Sequence, residues 1–101
     1  MKRLVLAARI AGEMDEIYQY TLKTFGAAQA ERYLDELNAA FRRIQENESI
    51  GRERDDILEG FRSLTVGGHI IFYRVSNIIE IVGVPHGGRD IGRYFAPRKN
   101  E

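Results

Sequence analysis

The sequence predicts an α+β domain: an N-terminal strand, an antiparallel helical hairpin, and a C-terminal three-strand antiparallel meander against which the hairpin packs. Three observations predict it. Between residues 8 and 47, apolar side chains recur at every third or fourth position, the period of amphipathic helices. One glycine, Gly26, interrupts that pattern. After residue 60 the period falls to two, and a Gly-Gly pair separates the first two β-rich runs.

The first strand is read from RLVLAA, Arg3 to Ala8, a short apolar run placed directly before a helical pattern. Its pairing partner is not visible at this level. Between Ala8 and Phe25 the stripe Ile10, Met14, Ile17, Thr21 and Phe25 defines the first helix, and Tyr18 and Leu22 widen it. Glu13, Asp15 and Glu16 fall in its first half, where negative charge complements the helix dipole. Gly26 stops it, because glycine accepts the left-handed backbone that ends helices. The second helix, Ala27 to Asn47, repeats Ala30, Leu34, Leu37, Phe41 and Ile44, with Tyr33 and Ala40 alongside. A link this short makes the two helices an antiparallel hairpin. A pair alone cannot bury both stripes, so the C-terminal half must cover them.

That half holds three β-rich runs in FRSLTVGGHIIFYRVSNIIEIVGVP. Gly67-Gly68 marks the first hairpin and Ser76-Asn77 the second. Ile70, Phe72 and Arg74 face one way, and Ile71, Tyr73 and Val75 the other. In the last run Ile79, Ile81 and Gly83 alternate with Ile78, Glu80, Val82 and Val84. Apolar residues on both faces predict a sheet covered on both sides or used for binding. GRERDD, residues 51 to 56, reads as a solvated loop.

Composition narrows the function. A chain of 101 residues suits one domain, 1–101, and can bury roughly two-thirds of its unfolded surface. Fifteen Lys plus Arg balance fifteen Asp plus Glu, so direct nucleic-acid binding is disfavoured. With no cysteine, disulfides and thiolate metal sites are impossible, and two histidines far apart in sequence argue against structural zinc. The N-terminal apolar run is too short and too charged for a signal peptide or a membrane span, so a cytoplasmic protein is expected.

A set of residues in order then points to a family. IYQYTLKTFGAAQAERYLDELNAAFRRI carries Ile17, Tyr20, Phe25-Gly26, Gln29-Ala30, Tyr33, Leu37 and Phe41. Gly51-Arg52 follows, then Gly60 with Arg62. HIIFYRV supplies His69, Ile71, Phe72, Tyr73 and Arg74, and VGVPHGGRDI supplies His86, Arg89 and Asp90. Over nearly the whole chain this resembles the ParE-type toxins of the ParE/RelE superfamily. The departures are Gly83 where the family has a basic residue, Pro85 where it has leucine, and no Asn-Pro before Gly51-Arg52. The resemblance implies a RelE/ParE-like fold and a toxin, without cofactor, neutralised by a cognate ParD-like antitoxin encoded beside it. ParE-like members are associated with blocking DNA gyrase. RelE-like members cleave messenger RNA in the ribosomal A site.

Metal-free RNA cleavage needs a proton donor or acceptor and cations at the phosphorane. The residues available for it are His86, Arg62, Arg89 and Tyr94, with Arg74 and Arg93 as further cations. Histidine, with a reference pKa of about 6.5, suits either proton role. Against this stand Gly83, which removes a cation, Glu80, which adds an anion on the same strand, and the neutral chain. The expectation is therefore a gyrase inhibitor that acts by binding, with no catalytic residue.

Its target-binding residues would be Arg89, Arg93, Tyr94 and Phe95, since the resemblance implicates the C-terminal region in target poisoning. Antitoxin carboxylates would meet Arg62 and Arg74, and an apolar antitoxin face would meet Tyr18, Leu22 and Phe41. Each has a plainer reading. His86 could bond the backbone of its own loop and His69 could be a turn residue. Arg89 could pair with Asp90, Arg62 and Arg74 could snorkel from the sheet, and Tyr94 and Phe95 could tuck against it.

Overall fold

A computed structural model describes residues 1–96. Its elements, in chain order, are β1 (Leu4–Leu6), α1 (Arg9–Phe25), α2 (Ala27–Glu46), β2 (Arg52–Glu53), β3 (Phe61–Val66), β4 (His69–Val75), β5 (Ile79–Gly83) and α3 (Ile91–Phe95). The class is α+β, with the hairpin and meander in the predicted order.

Gly26 alone joins the two long helices. Its φ of +93° is a conformation that glycine reaches without strain, and its N–H donates to the Leu22 carbonyl at 3.0 Å. The inward stripe of α1 is Ile10, Ile17 and Thr21, and that of α2 is Ala30, Leu37, Ala40, Phe41 and Ile44. Thr21 satisfies its buried hydroxyl by donating to the Ile17 carbonyl. These stripes meet Val66, Ile71, Tyr73, Ile79, Ile81 and Val84 of the sheet in one core. Each fully buried leucine or isoleucine contributes about 1.5–3 kcal/mol by leaving water. Tyr73, wholly buried, keeps its hydroxyl satisfied: it accepts from Gly51 N–H and donates to the Glu48 carbonyl, each at 2.8 Å.

The sheet has five strands in the order β1-β5-β4-β3-β2. The meander β3-β4-β5 is antiparallel, as the Gly67-Gly68 and Ser76-Asn77 signals require. The N-terminal strand pairs with the last one, in parallel: Leu4 lies opposite Ile79 and Leu6 opposite Ile81.

Three details correct the sequence reading. GRERDD is not wholly a loop, because Arg52 and Glu53 form a short edge strand against Ser63 and Arg62. The alternation in the last run also breaks. Tyr73 pairs with Ile81 but Phe72 pairs with Gly83, so Val82 is an extra residue, a β-bulge. The bulge turns Gly83 to the face of Phe72 and returns Val84 to the core. Finally, Ile91–Phe95 forms a helical turn, an element the sequence reading did not assign. Phe95 lies edge-on to Phe72 and Phe61 at centroid distances of 5.2 and 5.5 Å, so α3 covers part of the sheet face that α1 and α2 leave open. The remaining tail, residues 97–101, lies outside the described residues.

Candidate functional site

Where α1 passes the end of β5, the chain leaves an open groove. Arg9, Gly12, Glu13, Glu16 and Tyr20 form its α1 wall. His69, Val84, Pro85 and His86 form the floor at the strand ends, and Arg89 with Arg93 to Ala96 forms the opposite wall.

Glu13 organises this region. It sits one turn beyond Arg9 on α1 and points across the groove. One carboxylate oxygen accepts the Val84 N–H at 2.8 Å, and the other accepts the Tyr94 hydroxyl at 2.5 Å. The acidic group of α1 was expected to complement the helix dipole; none of it lies in the first turn, and Glu13 instead joins three elements. Its Arg9 neighbour is a looser ion pair at 3.9 Å. Burial, and then the adjoining Glu13 carboxylate, push the Tyr94 phenol well above its usual range, so it stays protonated and donates.

The Tyr94 ring is 6% exposed and lies against Gly83. A Cβ at Gly83 would come within 2.8 Å of the ring's Cε2, so only glycine leaves the ring its place. Two guanidiniums stack on the same ring, Arg9 at 4.5 Å and Arg89 at 4.9 Å from its centroid. Asp90 does not pair with Arg89. It caps α3 by accepting the Arg93 N–H at 3.2 Å. Among the described residues, neither Arg89 nor Arg93 has a carboxylate within ion-pair distance, and both are exposed.

The two histidines meet across the strand ends. A bridge joins His69 to His86, their rings are 5.5 Å apart and perpendicular, and Ile70 N–H donates to the Pro85 carbonyl. His86 is exposed and its Nδ1 accepts the Gly88 N–H, a bond to its own loop. His69 is the first residue of β4 rather than a turn residue, and its Nδ1 lies 2.6 Å from the Tyr33 hydroxyl.

Of the residues named for ribonuclease chemistry, His86, Arg89 and Tyr94 line the groove and Arg62 does not. Arg62 is on β3, where its guanidinium donates to the Gly51 carbonyl at 2.7 Å and pairs with Glu53 at 3.4 Å. Arg74 is exposed on β4 and pairs with Glu80 at 3.2 Å. Tyr18 and Leu22 are half-buried on α1, whereas Phe41 is 6% exposed and belongs to the core, where packing rather than a partner occupies its ring. Of the four residues named for the target, Arg89 and Arg93 face solvent, Tyr94 is buried and Phe95 half-buried. Glu13 is the member that sequence reasoning missed. Its only sequence signal is position: an acid four residues after Arg9 on the stripe side of α1.

The sequence and the fold are similar to those of known proteins. The family model described as the ParE toxin of the type II toxin–antitoxin system parDE matches residues 4–91. Toxin ParE1 of Mycobacterium tuberculosis (strain CDC 1551 / Oshkosh) is 39% identical over 93 residues, spanning 90% of this chain and 95% of that one. Toxin ParE1 of Caulobacter vibrioides is 34% identical over 86 residues, spanning 85% and 90%. Among solved structures, a chain of the chromosomal ParDE TA system from P. aeruginosa superposes with a TM-score of 0.75 at 21% identity, covering 85% of this chain and 96% of that one; that likeness concerns the fold.

Proposed function

The chain belongs to the ParE toxin family of type II toxin–antitoxin systems, and from that premise we propose that it inhibits DNA gyrase by binding, without catalytic chemistry of its own. A ParD-like antitoxin neutralises it in the cytoplasm. The observation that carries the proposal is the contrast between two sets of side chains. Arg89 and Arg93 stand exposed beside the groove with no carboxylate among the described residues to satisfy them, available for a protein target. Of the groups named for RNA cleavage, one lies elsewhere and one is committed. Arg62 lies outside the groove, and the Tyr94 hydroxyl is bound to Glu13 and held protonated. On this reading Tyr94 and Phe95 contribute by shaping the surface that carries the arginines.

For the antitoxin, the reading assigns Arg74 and Arg62 to carboxylates and the half-buried Tyr18 and Leu22 to the apolar side of an amphipathic segment. Phe41 supports that surface from beneath.

Supercoiling of relaxed plasmid by purified gyrase tests the target. Full inhibition at micromolar toxin, relieved by the antitoxin, is expected. Unimpaired supercoiling, together with cleavage of translated messages that disappears in His86→Ala, would establish the ribonuclease reading instead.

A further inference from the structure

The C-terminal turn cannot hold itself. Five helical residues are far below the length at which a helix is stable alone. Its position is set from outside, by three contacts that reach residues distant in sequence. Phe95 rests on Phe61 and Phe72. The Tyr94 ring occupies the space that the absent Gly83 side chain leaves. The Tyr94 hydroxyl donates to Glu13, 81 positions away along the chain. Of these, Phe95 is half-exposed and rests on two buried rings by packing alone, while the Tyr94 hydroxyl adds a directional, part-buried bond.

We propose that Glu13 and Gly83 are positioning residues: they form the seat of Tyr94, and that seat fixes where Arg89 and Arg93 are presented to the target. Glu13 supplies the acceptor and Gly83 supplies the room. Arg89 is tied to the same ring by its stacking on Tyr94, so the ring's place fixes the guanidinium's place. Arg93 immediately precedes Tyr94 on α3 and moves with it. Glu13 also accepts the Val84 N–H, which locks the acceptor itself to the end of β5. The departure at Gly83 thereby gains a structural meaning. Where a basic side chain would stand on the sheet, this chain seats a tyrosine and brings arginines to it from α1 and from the loop before α3.

The inference rests on the reading that Arg89 and Arg93 meet gyrase, so the experiment separates the two. Full-length toxin is prepared as wild type, Glu13→Gln, Tyr94→Phe, their double variant, and Arg89→Ala/Arg93→Ala. Each is measured for gyrase inhibition and for amide exchange at Tyr94 and Ala96, whose N–H groups bond Asp90 and Arg93 carbonyls, against exchange at core amides of β4. In Glu13→Gln and in Tyr94→Phe, α3 protection is expected to fall while β4 protection stays. The inhibitory concentration should rise about tenfold in each, because only the seated fraction binds. The double variant should be no worse than Glu13→Gln alone, since Tyr94→Phe acts only on a bond that Glu13→Gln already disrupts. Tyr94→Phe keeps the ring and its packing, so it remains informative if Glu13→Gln folds poorly. Unchanged α3 exchange in both single variants overturns the seat. Lost α3 protection with unchanged inhibition overturns its role in positioning. If Arg89→Ala/Arg93→Ala inhibits like wild type, the target reading itself has failed and the positioning role falls with it.

Discussion

The Tyr33 hydroxyl and His69 Nδ1 lie 2.6 Å apart, joining the second turn of α2 to the first residue of β4. The same hydroxyl donates to the Val66 carbonyl at 3.0 Å. One proton cannot serve both, so the direction of the bond to His69 follows the tautomer of its ring. Burial, and then the neighbouring His86 ring, hold the His69 pKa below its ordinary value, with Glu13 opposing weakly. The unfolded chain therefore takes up this proton first. Stability from His69 is complete above about pH 6.5 and is lost as the pH falls from there towards the lower native value. Urea midpoints at pH 7.5 and 5.5 should show the acid-side loss, and His69→Gln should reduce it. An equal loss in the variant would assign the effect elsewhere.

At alkaline pH the tyrosines act in the opposite direction. Burial is the first cause of the raised pKa at Tyr33, Tyr73 and Tyr94. Their unfolded counterparts ionise first, so stability falls as pH rises above about 10. Absorbance of tyrosinate should show a delayed group in the native protein, and Tyr94→Phe should remove part of it. A single unshifted titration of all tyrosines would contradict the burial.

Gly83→Ala should destabilise, although Gly83 lies in a strand where alanine is ordinarily no worse. The added methyl meets the Tyr94 ring, and overpacking of this kind costs about 1–3 kcal/mol. Tyr94→Ala is itself destabilising, but in that background Gly83→Ala should cost much less in thermal denaturation than it does alone. An equal cost in both backgrounds would place the strain on a neighbour other than Tyr94.

Two residues read from the sequence as partner-facing should differ sharply in stability. Phe41→Ala removes a core ring and should cost about 3–5 kcal/mol. Arg74→Ala breaks an exposed pair with Glu80 and should cost at most about 1 kcal/mol. Chemical denaturation of the two variants distinguishes them directly, and a mild Phe41→Ala would mean that its pocket collapses around the lost ring.

These contrasts reflect what a linear sequence can carry. The helices were legible because their period is local, and Gly26 ends α1 by its own backbone freedom. The hairpin turns were legible for the same reason. Arg52 and Glu53 were not, since both are exposed and become a strand only because β3 offers an edge. The Val82 bulge depends on pairing with β4, which no alternation in β5 reveals. Glu13 read only as part of an acidic group complementing the helix dipole, because its partners Val84 and Tyr94 lie 71 and 81 residues away. Grouping Arg62 with His86 failed in the same way: β3 carries Arg62 to Gly51 and Glu53, beyond the groove.

The parallel seam between Leu4–Leu6 and Ile79–Ile81 also dictates when the molecule can exist. A growing chain that has completed both helices still has no partner for its first strand and no floor beneath Ile10, Leu37 and Ile44. Contacts between such remote segments are slow to form, because the intervening chain must first be brought together. Folding of this protein therefore waits on its last strand. Until β5 leaves the ribosome, Leu4–Leu6 has no strand to pair with, and the apolar faces of the unfinished chain are open to chaperones and proteases.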